Sequence, residues 1–300
     1  MDLSNLEDCT LCPRECHVNR VKGELGYCRM TCELIVARAA LHMWEEPCIS
    51  GEEGSGTVFF SGCSMRCVYC QNHNIAIGKA GKKVSIERLA DIFIELQDKK
   101  ANNINLVTPS HYVPQIIEAI RIAKDKGLQL PIVYNCSGYE KVDTLRALNG
   151  YVDIYLPDLK YMAVEPSLKY SNCTDYFSTA AEAIKEMVRQ VGEPVFDNRG
   201  MLRKGVIVRH LTLPGYLKDS KDIIKFLYET FGDSIYISIM NQYTPLASVD
   251  KFPELNRRIT RREYDKLVDY ALNLGVENGF IQEGETATES FIPEFNEEGV

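Results

Sequence analysis

The 300-residue sequence lacks several features that would assign it to a specialised class of protein. No apolar run approaches the roughly 18 residues of a membrane-spanning helix, so no membrane span is predicted. The first residues, MDLSNLEDCTLC, have neither a basic stretch nor an apolar core, so we expect no secretory signal and predict a cytoplasmic protein. Positive charge is also scarce: 42 acidic residues outnumber 34 basic ones, which disfavours nucleic acid as a partner.

Cysteine, by contrast, is abundant, with eleven residues. In a reducing compartment these thiols do not indicate a disulfide framework, and their odd number also argues against full pairing. Cysteines then serve either as small core residues or as metal ligands. Nine of the eleven lie before residue 71, whereas core thiols would be scattered along the chain. The clustering therefore predicts metal binding.

Short apolar runs alternate with amphipathic segments from residue 57 onward, which is typical of strands buried in a parallel sheet and joined by helices. The predicted strands are residues 57–62, 103–108, 131–137, 152–158, 206–213 and 236–242. The predicted helices are residues 86–99, 113–126, 142–148, 176–191, 220–231 and 261–274. This order fits a doubly wound sheet or a partial barrel. No GxGxxG follows the first strand, so nothing supports a dinucleotide-binding fold.

The sequence divides into three parts. Residues 1–50 are rich in cysteine and show little periodicity, which predicts a small N-terminal metal-binding module held together by its ligands. Residues 51–284 form the predicted core, with a short hairpin at 195–204. Residues 285–300 form an acidic C-terminal tail, which we expect to pack loosely.

The sharpest motif is Cys63-Ser-Met-Arg-Cys67-Val-Tyr-Cys70, directly after the first predicted strand. Three thiolates can each bind one iron of a [4Fe–4S] cluster, which leaves the fourth iron open to another ligand. The alternatives are three chance cysteines or a zinc site completed by His73. Active sites of parallel α/β folds lie at the carboxyl ends of strands, where this loop begins.

This loop resembles that of the radical S-adenosylmethionine (radical SAM) superfamily, in which the residue before the third cysteine is often aromatic, as Tyr69 is here. The resemblance implies an α/β fold, a partial (β/α)6 TIM-type barrel, here with the small Cys-rich N-terminal module. It also implies a [4Fe–4S] cluster on Cys63, Cys67 and Cys70 and S-adenosylmethionine as cofactors. Reductive cleavage of that cofactor would yield a 5′-deoxyadenosyl radical that abstracts hydrogen.

Longer phrases resemble the activating enzymes of pyruvate formate-lyase, particularly the branch of their Fe–S homologues. The phrases, in order on successive predicted strands, are GSGTVFFSGCSMRCVYCQN, NINLVTPSHY, VYNCSGYE, VDIYLPDLKY, VRHLTLPG and MNQYTP. The resemblance implies that Tyr69 belongs to the cofactor site. Relatives carry a Gly-Gly-Glu-Pro-like segment after strand two, where this chain has Thr108, Ser110 and His111. These could replace the missing glutamate, although helix capping by Thr108 and Ser110, or solvent exposure of His111, would explain them equally.

Three further strand ends supply the remaining predicted cofactor contacts. Asn135 and Ser137 align with a segment that lies against the ribose in relatives. Asp158 and Lys160 match the relatives' Asp-Leu-Lys, and because alternate strand residues point the same way, both can face the site; a surface ion pair is the alternative. Arg209 lies in an apolar strand, where a guanidinium is costly to bury, so we expect it to reach a carboxylate, either that of the cofactor or that of an acidic side chain nearby.

The N-terminal run Cys9, Cys12, Cys16 and Cys28 has the spacing C-x2-C-x3-C-x11-C. It predicts a second metal site, with an auxiliary [4Fe–4S] cluster or a zinc ion as the two candidates. A looser group of buried thiols is the third interpretation. Cys48 could replace any of the four as a ligand.

The function predicted from these features is reductive cleavage of S-adenosylmethionine for hydrogen abstraction, as in a glycyl-radical-enzyme activase. A protein or peptide substrate and reduced flavodoxin or ferredoxin as electron donor follow from the resemblance. The alternative is radical modification of a small molecule or peptide, and tRNA modification is disfavoured by the acidic charge. The N-terminal module could instead be a docking platform for a partner protein.

Overall fold

A computed structural model describes residues 2–282 and 293–300. The strands are β1 (Leu34–His42), β2 (Ser55–Phe60), β3 (Lys82–Val84), β4 (Ile104–Val107), β5 (Ile132–Cys136), β6 (Ile154–Pro157), β7 (Val195–Phe196), β8 (Leu202–Leu211), β9 (Tyr236–Met240) and β10 (Gly279–Ile281). The helices are α1 (Pro47–Ser50), α2 (His73–Ala76), α3 (Ile86–Asp98), α4 (Val113–Asp125), α5 (Val142–Ala147), α6 (Val164–Ser171), α7 (Tyr176–Val191), α8 (Leu217–Phe231) and α9 (Arg261–Leu274).

The strand order decides between the two predicted architectures. It runs β10-β9-β8-β6-β5-β4-β2-β1-β3, and the strands from β2 to β10 pair in parallel. Each new parallel strand is added at the same edge, so the sheet winds in one direction, as in a barrel, rather than reversing as in a doubly wound fold. β1 and β3 are antiparallel, and the described strands do not close the sheet. The predicted partial barrel is confirmed.

The six predicted strands and six predicted helices all form, because their apolar patterns match the layers in which they lie. In α3, Ser85 caps the first turn, and the apolar stripe is buried against the sheet. In α9, Thr260 and Glu263 form a capping box, and Gly275 ends the helix with a left-handed φ of 100°. The hairpin at 195–204 is also confirmed, since β7 pairs antiparallel with β8.

The two faces of the sheet bury different residues. Along β6, the Tyr155 side chain packs among the helices, while its neighbours Ile154 and Leu156 point to the inner face. Cys48 and Ile49 of α1 pack against this inner face. Helix α1 therefore fills the interior of the partial barrel below the carboxyl ends of the strands.

The N-terminal region joins the sheet as well as preceding it. Residues 34–42, within the Cys-rich range 1–50, form β1, which pairs along β2 from Val36 to His42. The described residues before β1 contain two short 3-10 turns, Leu3–Leu6 and Arg20–Lys22, and otherwise irregular backbone. The antiparallel strand was missed because its pattern, LIVARAALH, lies beside cysteines and has no turn signal before it.

The end of the chain packs along β1. The Glu297 N–H donates to the Ala37 carbonyl (3.1 Å), and the Ala39 N–H donates to the Glu298 carbonyl (2.8 Å). Loose packing is therefore wrong for residues 293–300. The predicted boundary at residue 284 and the first part of the tail lie outside the described residues.

No helix in the described ranges is both long enough and apolar enough to cross a membrane.

Candidate functional site

The three-cysteine loop begins at the carboxyl end of β2, as the sequence predicts. Cys63, Cys67 and Cys70 line a single cavity of about 230 Å³ at the carboxyl ends of the parallel strands. The backbone N–H of Met65 donates to Cys63 Sγ (3.3 Å), and the Ser171 hydroxyl donates to Cys67 Sγ (3.0 Å). These hydrogen bonds hold two of the three sulfurs in place and leave lone pairs on both for another ligand.

Burial and mutual repulsion govern the protonation of the loop thiols. Burial raises the pKa of Cys63 to about 11 and that of Cys70 to about 12, and the neighbouring Cys67 thiol adds to both increases. The Lys160 ammonium opposes both increases, so it lies close to the sulfurs. Three thiols around one cationic side chain suit a metal centre, because bound metal replaces the protons and stabilises the thiolates.

A buried charge network forms the opposite side of the cavity. Arg209 Nε donates to Asp158 Oδ1 (2.9 Å), one terminal nitrogen donates to Glu45 Oε2 (3.1 Å), and the other donates to Asn135 Oδ1 (2.6 Å). Lys160 bonds the second oxygen of Asp158. The expected carboxylate beside Arg209 is therefore present, and there are two of them.

The charges in this network shift one another. Desolvation alone would raise the pKa of Asp158, but the adjacent Arg209 and Lys160 overcome it and hold that pKa below its usual range. The pKa of Glu45 is raised, because its burial outweighs the attraction of Arg209. Asp158 is thus the anionic partner that keeps both cations in place, and Lys160 faces the thiols from beside it.

The remaining predicted cavity residues are positioned by the strand ends. Tyr69, Thr108 and Ser137 line the cavity. The Tyr161 hydroxyl donates to the Tyr69 hydroxyl (2.6 Å), which fixes the ring within the loop. Thr108 has a left-handed φ of 59°, a strained conformation for a β-branched residue. The N–H of Thr108 nevertheless donates to the Asn135 carbonyl (2.9 Å), so the strand pairing holds this strain.

Two predicted residues are not brought to the cavity. The Ser110 hydroxyl donates to buried Glu140 (2.5 Å). His111 Nε2 contacts the Ser61 carbonyl (2.7 Å) behind the loop, and burial lowers the pKa of this histidine to about 3. Both side chains turn away because residues 110–112 form a 3-10 turn that is separated from the end of β4 by two residues. Neither contributes a polar group to the cavity lining.

Several lining residues were missed by sequence reasoning. Beyond the predicted set, the cavity is lined by His42, Trp44, Glu45, Phe59, Met65, Gln71, Asn72, Val107, Cys136, Leu211, Met240 and Pro293. Gln242 also lines it, as the polar end of the sixth predicted strand indicates. Glu45 is the most consequential, because it enters the barrel from the turn between β1 and α1. The available signal was the acidic pair Glu45-Glu46 between an apolar stretch and Pro47. This pair does not indicate a site by itself, because no local pattern places the turn inside the barrel.

The four N-terminal cysteines are brought together in the irregular segment before β1. The Sγ atoms of Cys28 and Cys16 lie 3.5 and 3.6 Å from the point where a Cβ on Gly26 would stand. Burial raises the pKa of Cys12, and the neighbouring Cys28 and Cys16 thiols raise it further. Burial likewise raises the pKa of Cys28, and the neighbouring Cys9 thiol raises it further. Glycine at position 26 leaves room for the two sulfurs.

Cys48 lies elsewhere, among the apolar residues of the inner sheet face. It is therefore not positioned to replace one of the four clustered cysteines. Within residues 2–282 and 293–300, no three cysteine, histidine or acidic side chains are placed to bind one metal ion together. This holds for Cys63, Cys67 and Cys70 as well as for the N-terminal cysteines. The ligands of an iron–sulfur cluster bind different irons, so their sulfurs need not converge on a single point.

The fold and the cavity define a class of protein. It is a parallel α/β partial barrel with a three-thiol loop after its first parallel strand and a charged polar wall opposite. A family model described as the radical SAM superfamily matches residues 57–227. This match covers more than half of the chain, and the protein belongs to the radical SAM superfamily.

Individual relatives are more distant. The chain is 28% identical over 273 residues to the uncharacterized protein MJ0674 of Methanocaldococcus jannaschii, covering 88% of this chain and 74% of the relative. The structure of Streptococcus suis SuiB bound to S-adenosylmethionine is 12% identical, with a TM-score of 0.49, and covers 74% of this chain. SuiB bound to its precursor peptide SuiA is 13% identical, with a TM-score of 0.49 and 76% of this chain covered. The chain spans 48% of the length of SuiB in both structures.

Proposed function

We propose that this radical SAM enzyme abstracts hydrogen from a protein or peptide substrate, in the manner of a glycyl-radical-enzyme activase. The observation that carries the proposal is a single cavity that combines the thiols of Cys63, Cys67 and Cys70 with the charged side chains of Lys160 and Asp158. It lies at the carboxyl ends of the parallel strands, where enzymes of this fold class place their chemistry.

The donor set fits the cofactors of the family. Cys63, Cys67 and Cys70 would hold the [4Fe–4S] cluster, because thiolates are its usual ligands. When bound, this cluster and S-adenosylmethionine supply one-electron cleavage of a sulfonium and a 5′-deoxyadenosyl radical. Lys160 offers a positive charge beside the thiols for an anionic ligand group, and Asp158 fixes its position.

The polar strand ends would orient the rest of the cofactor. Thr108, Asn135 and Ser137 line the cavity from neighbouring strands. Asn135 is held by its hydrogen bond from Arg209, and Arg209 is held in turn by Asp158. A group bound here meets side chains already fixed by their neighbours, which reduces the ordering needed on binding.

The dimensions of the cavity favour a large substrate that reacts at the opening. Its volume of about 230 Å³ is below the roughly 300–1,000 Å³ typical of small-molecule sites. The cluster and S-adenosylmethionine would fill this space completely, so the reacting group of the substrate must approach from the opening. The strands do not close the sheet between β3 and β10 in the described part of the chain, which supports access by a peptide segment.

The proposed enzyme works in the cytoplasm with reduced flavodoxin or ferredoxin as electron donor. Cleavage of S-adenosylmethionine needs one electron, and such a partner would supply it to the loop site. Both donors are proteins, so electron entry requires that the loop side of the barrel remain accessible. Oxygen-free conditions are needed, since an iron of the cluster stays open to ligands.

Anaerobic reconstitution tests the chemistry. The wild-type protein should bind about four irons at the loop site and, with dithionite, convert S-adenosylmethionine into 5′-deoxyadenosine. The triple Cys63→Ala, Cys67→Ala, Cys70→Ala variant should produce none. Cys173→Ala is the matched control, because Cys173 is buried outside the cavity and should retain full turnover. Cleavage by the triple variant would refute the proposed site.

Deuterium transfer tests the substrate class. Candidate proteins and peptides carrying deuterated backbone positions should pass the label into 5′-deoxyadenosine, and a glycyl-radical enzyme should be tested first. Transfer from labelled small molecules with none from any protein or peptide would overturn the activase proposal. The radical SAM chemistry itself would be unaffected by that result.

A further inference from the structure

Arg20 is a fully buried cation with an unusual set of partners. Its side chain is 0% exposed, yet no carboxylate in the described ranges forms an ion pair with it. Its nitrogens donate instead to the backbone carbonyls of Thr31 (2.6 and 3.1 Å) and His111 (2.6 Å). A buried guanidinium without an anion is expensive, so its retention calls for a counter-charge nearby.

The clustered thiols are chargeable groups beside this cation. Arg20 Nη1 lies 3.8 Å from Cys9 Sγ. Cys9, Cys12 and Cys28 are each less than a tenth exposed, so no solvent screens them from this cation. As neutral thiols they would leave Arg20 with only the uncharged Tyr112 ring, 5.6 Å from its guanidinium carbon, to offset its charge. As metal-bound thiolates they would provide the missing negative charge.

We propose that Cys9, Cys12, Cys16 and Cys28 bind a metal–thiolate centre whose negative charge is balanced by Arg20. Four thiolates around a divalent zinc or a [4Fe–4S] core with two positive charges leave an anionic centre in either case. Binding releases the four thiol protons, and no electron is gained or lost. The inference does not depend on the proposed function, because it concerns different cysteines.

The same arginine connects the centre to the loop after β2. Arg20 donates to the backbone carbonyl of His111, and the ring of His111 contacts the Ser61 carbonyl. Ser61 lies two positions before Cys63. At Gly62, a Cβ would stand only 2.9 Å from the Cys28 carbonyl, so the backbones of the two cysteine regions are in direct contact. Metal binding at the N-terminal site therefore stabilises the wall against which the radical SAM loop folds.

Metal analysis in a background without the loop site tests the centre. The triple Cys63→Ala, Cys67→Ala, Cys70→Ala variant is purified anaerobically, and iron, sulfide and zinc are counted per chain. We expect about four irons with sulfide, or one zinc. Adding Cys12→Ser should remove that metal, whereas adding Cys48→Ala should not, because Cys48 packs in the inner sheet face. Absence of metal, or metal that survives Cys12→Ser, would overturn the proposal.

The role of Arg20 is tested separately in the same background. Arg20→Met should accelerate metal loss to a chelator by at least about tenfold, the range expected for a group that supports metal ligands. Arg20→Lys, which keeps the charge, should lose metal more slowly than Arg20→Met. This pair keeps the test informative if one variant folds poorly.

The stabilisation produced by metal distinguishes charge balance from simple packing. Melting temperatures are compared before and after metal removal for wild-type and Arg20→Met chains in the triple background. Charge balance predicts that the metal-induced increase shrinks in Arg20→Met, because the cation is useful only beside an anionic centre. An equal metal-induced increase in both chains would mean that Arg20 is merely a packing residue, and the charge-balance proposal would be wrong.

Discussion

Substitution of Arg209 by methionine is expected to destabilise the protein strongly and in a pH-dependent manner. Methionine preserves much of the side-chain volume but removes the guanidinium, whose three hydrogen bonds join Asp158, Glu45 and Asn135 inside the barrel. Both carboxyls are largely buried, with 15% and 10% of their side chains exposed. Removing one member of a buried ion pair costs about 3–5 kcal/mol.

The loss of stability in Arg209→Met is limited by how the two carboxyl groups respond to removal of the guanidinium. Asp158 keeps the Lys160 ammonium as a partner, so it stays ionised. Arg209 is the one cation that the described part of the chain places in an ion pair with Glu45, so without it Glu45 takes up a proton. From the ordinary glutamate pKa of 4.5, protonation at pH 7.5 costs at most about 4 kcal/mol, at 1.36 kcal/mol per pH unit. The two routes agree on a loss of about 3–4 kcal/mol.

The sign of the pH dependence follows from the same carboxyl. In the variant the folded pKa of Glu45 lies above its unfolded value, so the folded chain binds the extra proton, and stability is lost as the pH rises. At pH 5.5 the limit on the cost falls to about 1.4 kcal/mol. The deficit relative to wild type should therefore shrink by up to about 3 kcal/mol between pH 7.5 and pH 5.5.

Urea unfolding followed by circular dichroism, on protein purified anaerobically, measures both quantities. Arg121→Met is the matched control, since Arg121 forms an exposed ion pair with Glu118 and should leave stability unchanged at both pH values. A loss below about 1 kcal/mol at pH 7.5, or a deficit that does not change with pH, would refute the view that Arg209 neutralises buried charge.

Three further predictions concern single positions. Gly62→Ala should reduce stability by about 2–4 kcal/mol in urea unfolding, because φ is +91° and the new Cβ would collide with Met30; a change within error would contradict the close packing. Thr108→Asn should raise the melting temperature, because the left-handed φ of 59° costs asparagine about 1 kcal/mol less than threonine. A lower melting temperature would count against strain at this site. Burial raises the pKa of Glu140 to about 7, so its ionisation destabilises the fold as pH rises from 4.5 to 7. Glu140→Gln should thus gain up to about 3 kcal/mol relative to wild type between pH 5 and pH 8, and a pH-independent difference would contradict this assignment.

The regular elements could be predicted from sequence because each matches a local apolar period. Helices α3, α4, α7 and α9 begin at the predicted residues, and the six predicted strands run in the predicted order. β1 was not predictable in this way, because its partner β2 lies beyond an intervening turn and its own flanks are cysteine-rich. Antiparallel pairing at the edge of the sheet depends on tertiary contact rather than on a local signal.

The site residues also differ in whether a local sequence pattern predicts them. The three loop cysteines follow from spacing, and Asp158 and Lys160 follow from strand alternation. Glu45 was not predictable, because nothing local indicates that the turn after β1 enters the barrel. His111 was misplaced for the converse reason: a polar side chain after a strand suggests a site, but a single 3-10 turn directs it behind the loop.

The position of helix α1 determines how the N-terminal cysteines can be studied. The chain from Leu34 to Ser50 supplies a paired strand and then the residues that fill the base of the barrel. Deleting residues 1–50 would thus remove a sheet strand, the floor of the cavity and Glu45 together with the cysteines. A truncated protein would report the loss of the barrel itself. Point substitutions can separate the two cysteine regions, whereas deletion cannot, because residues 34–50 are part of the barrel.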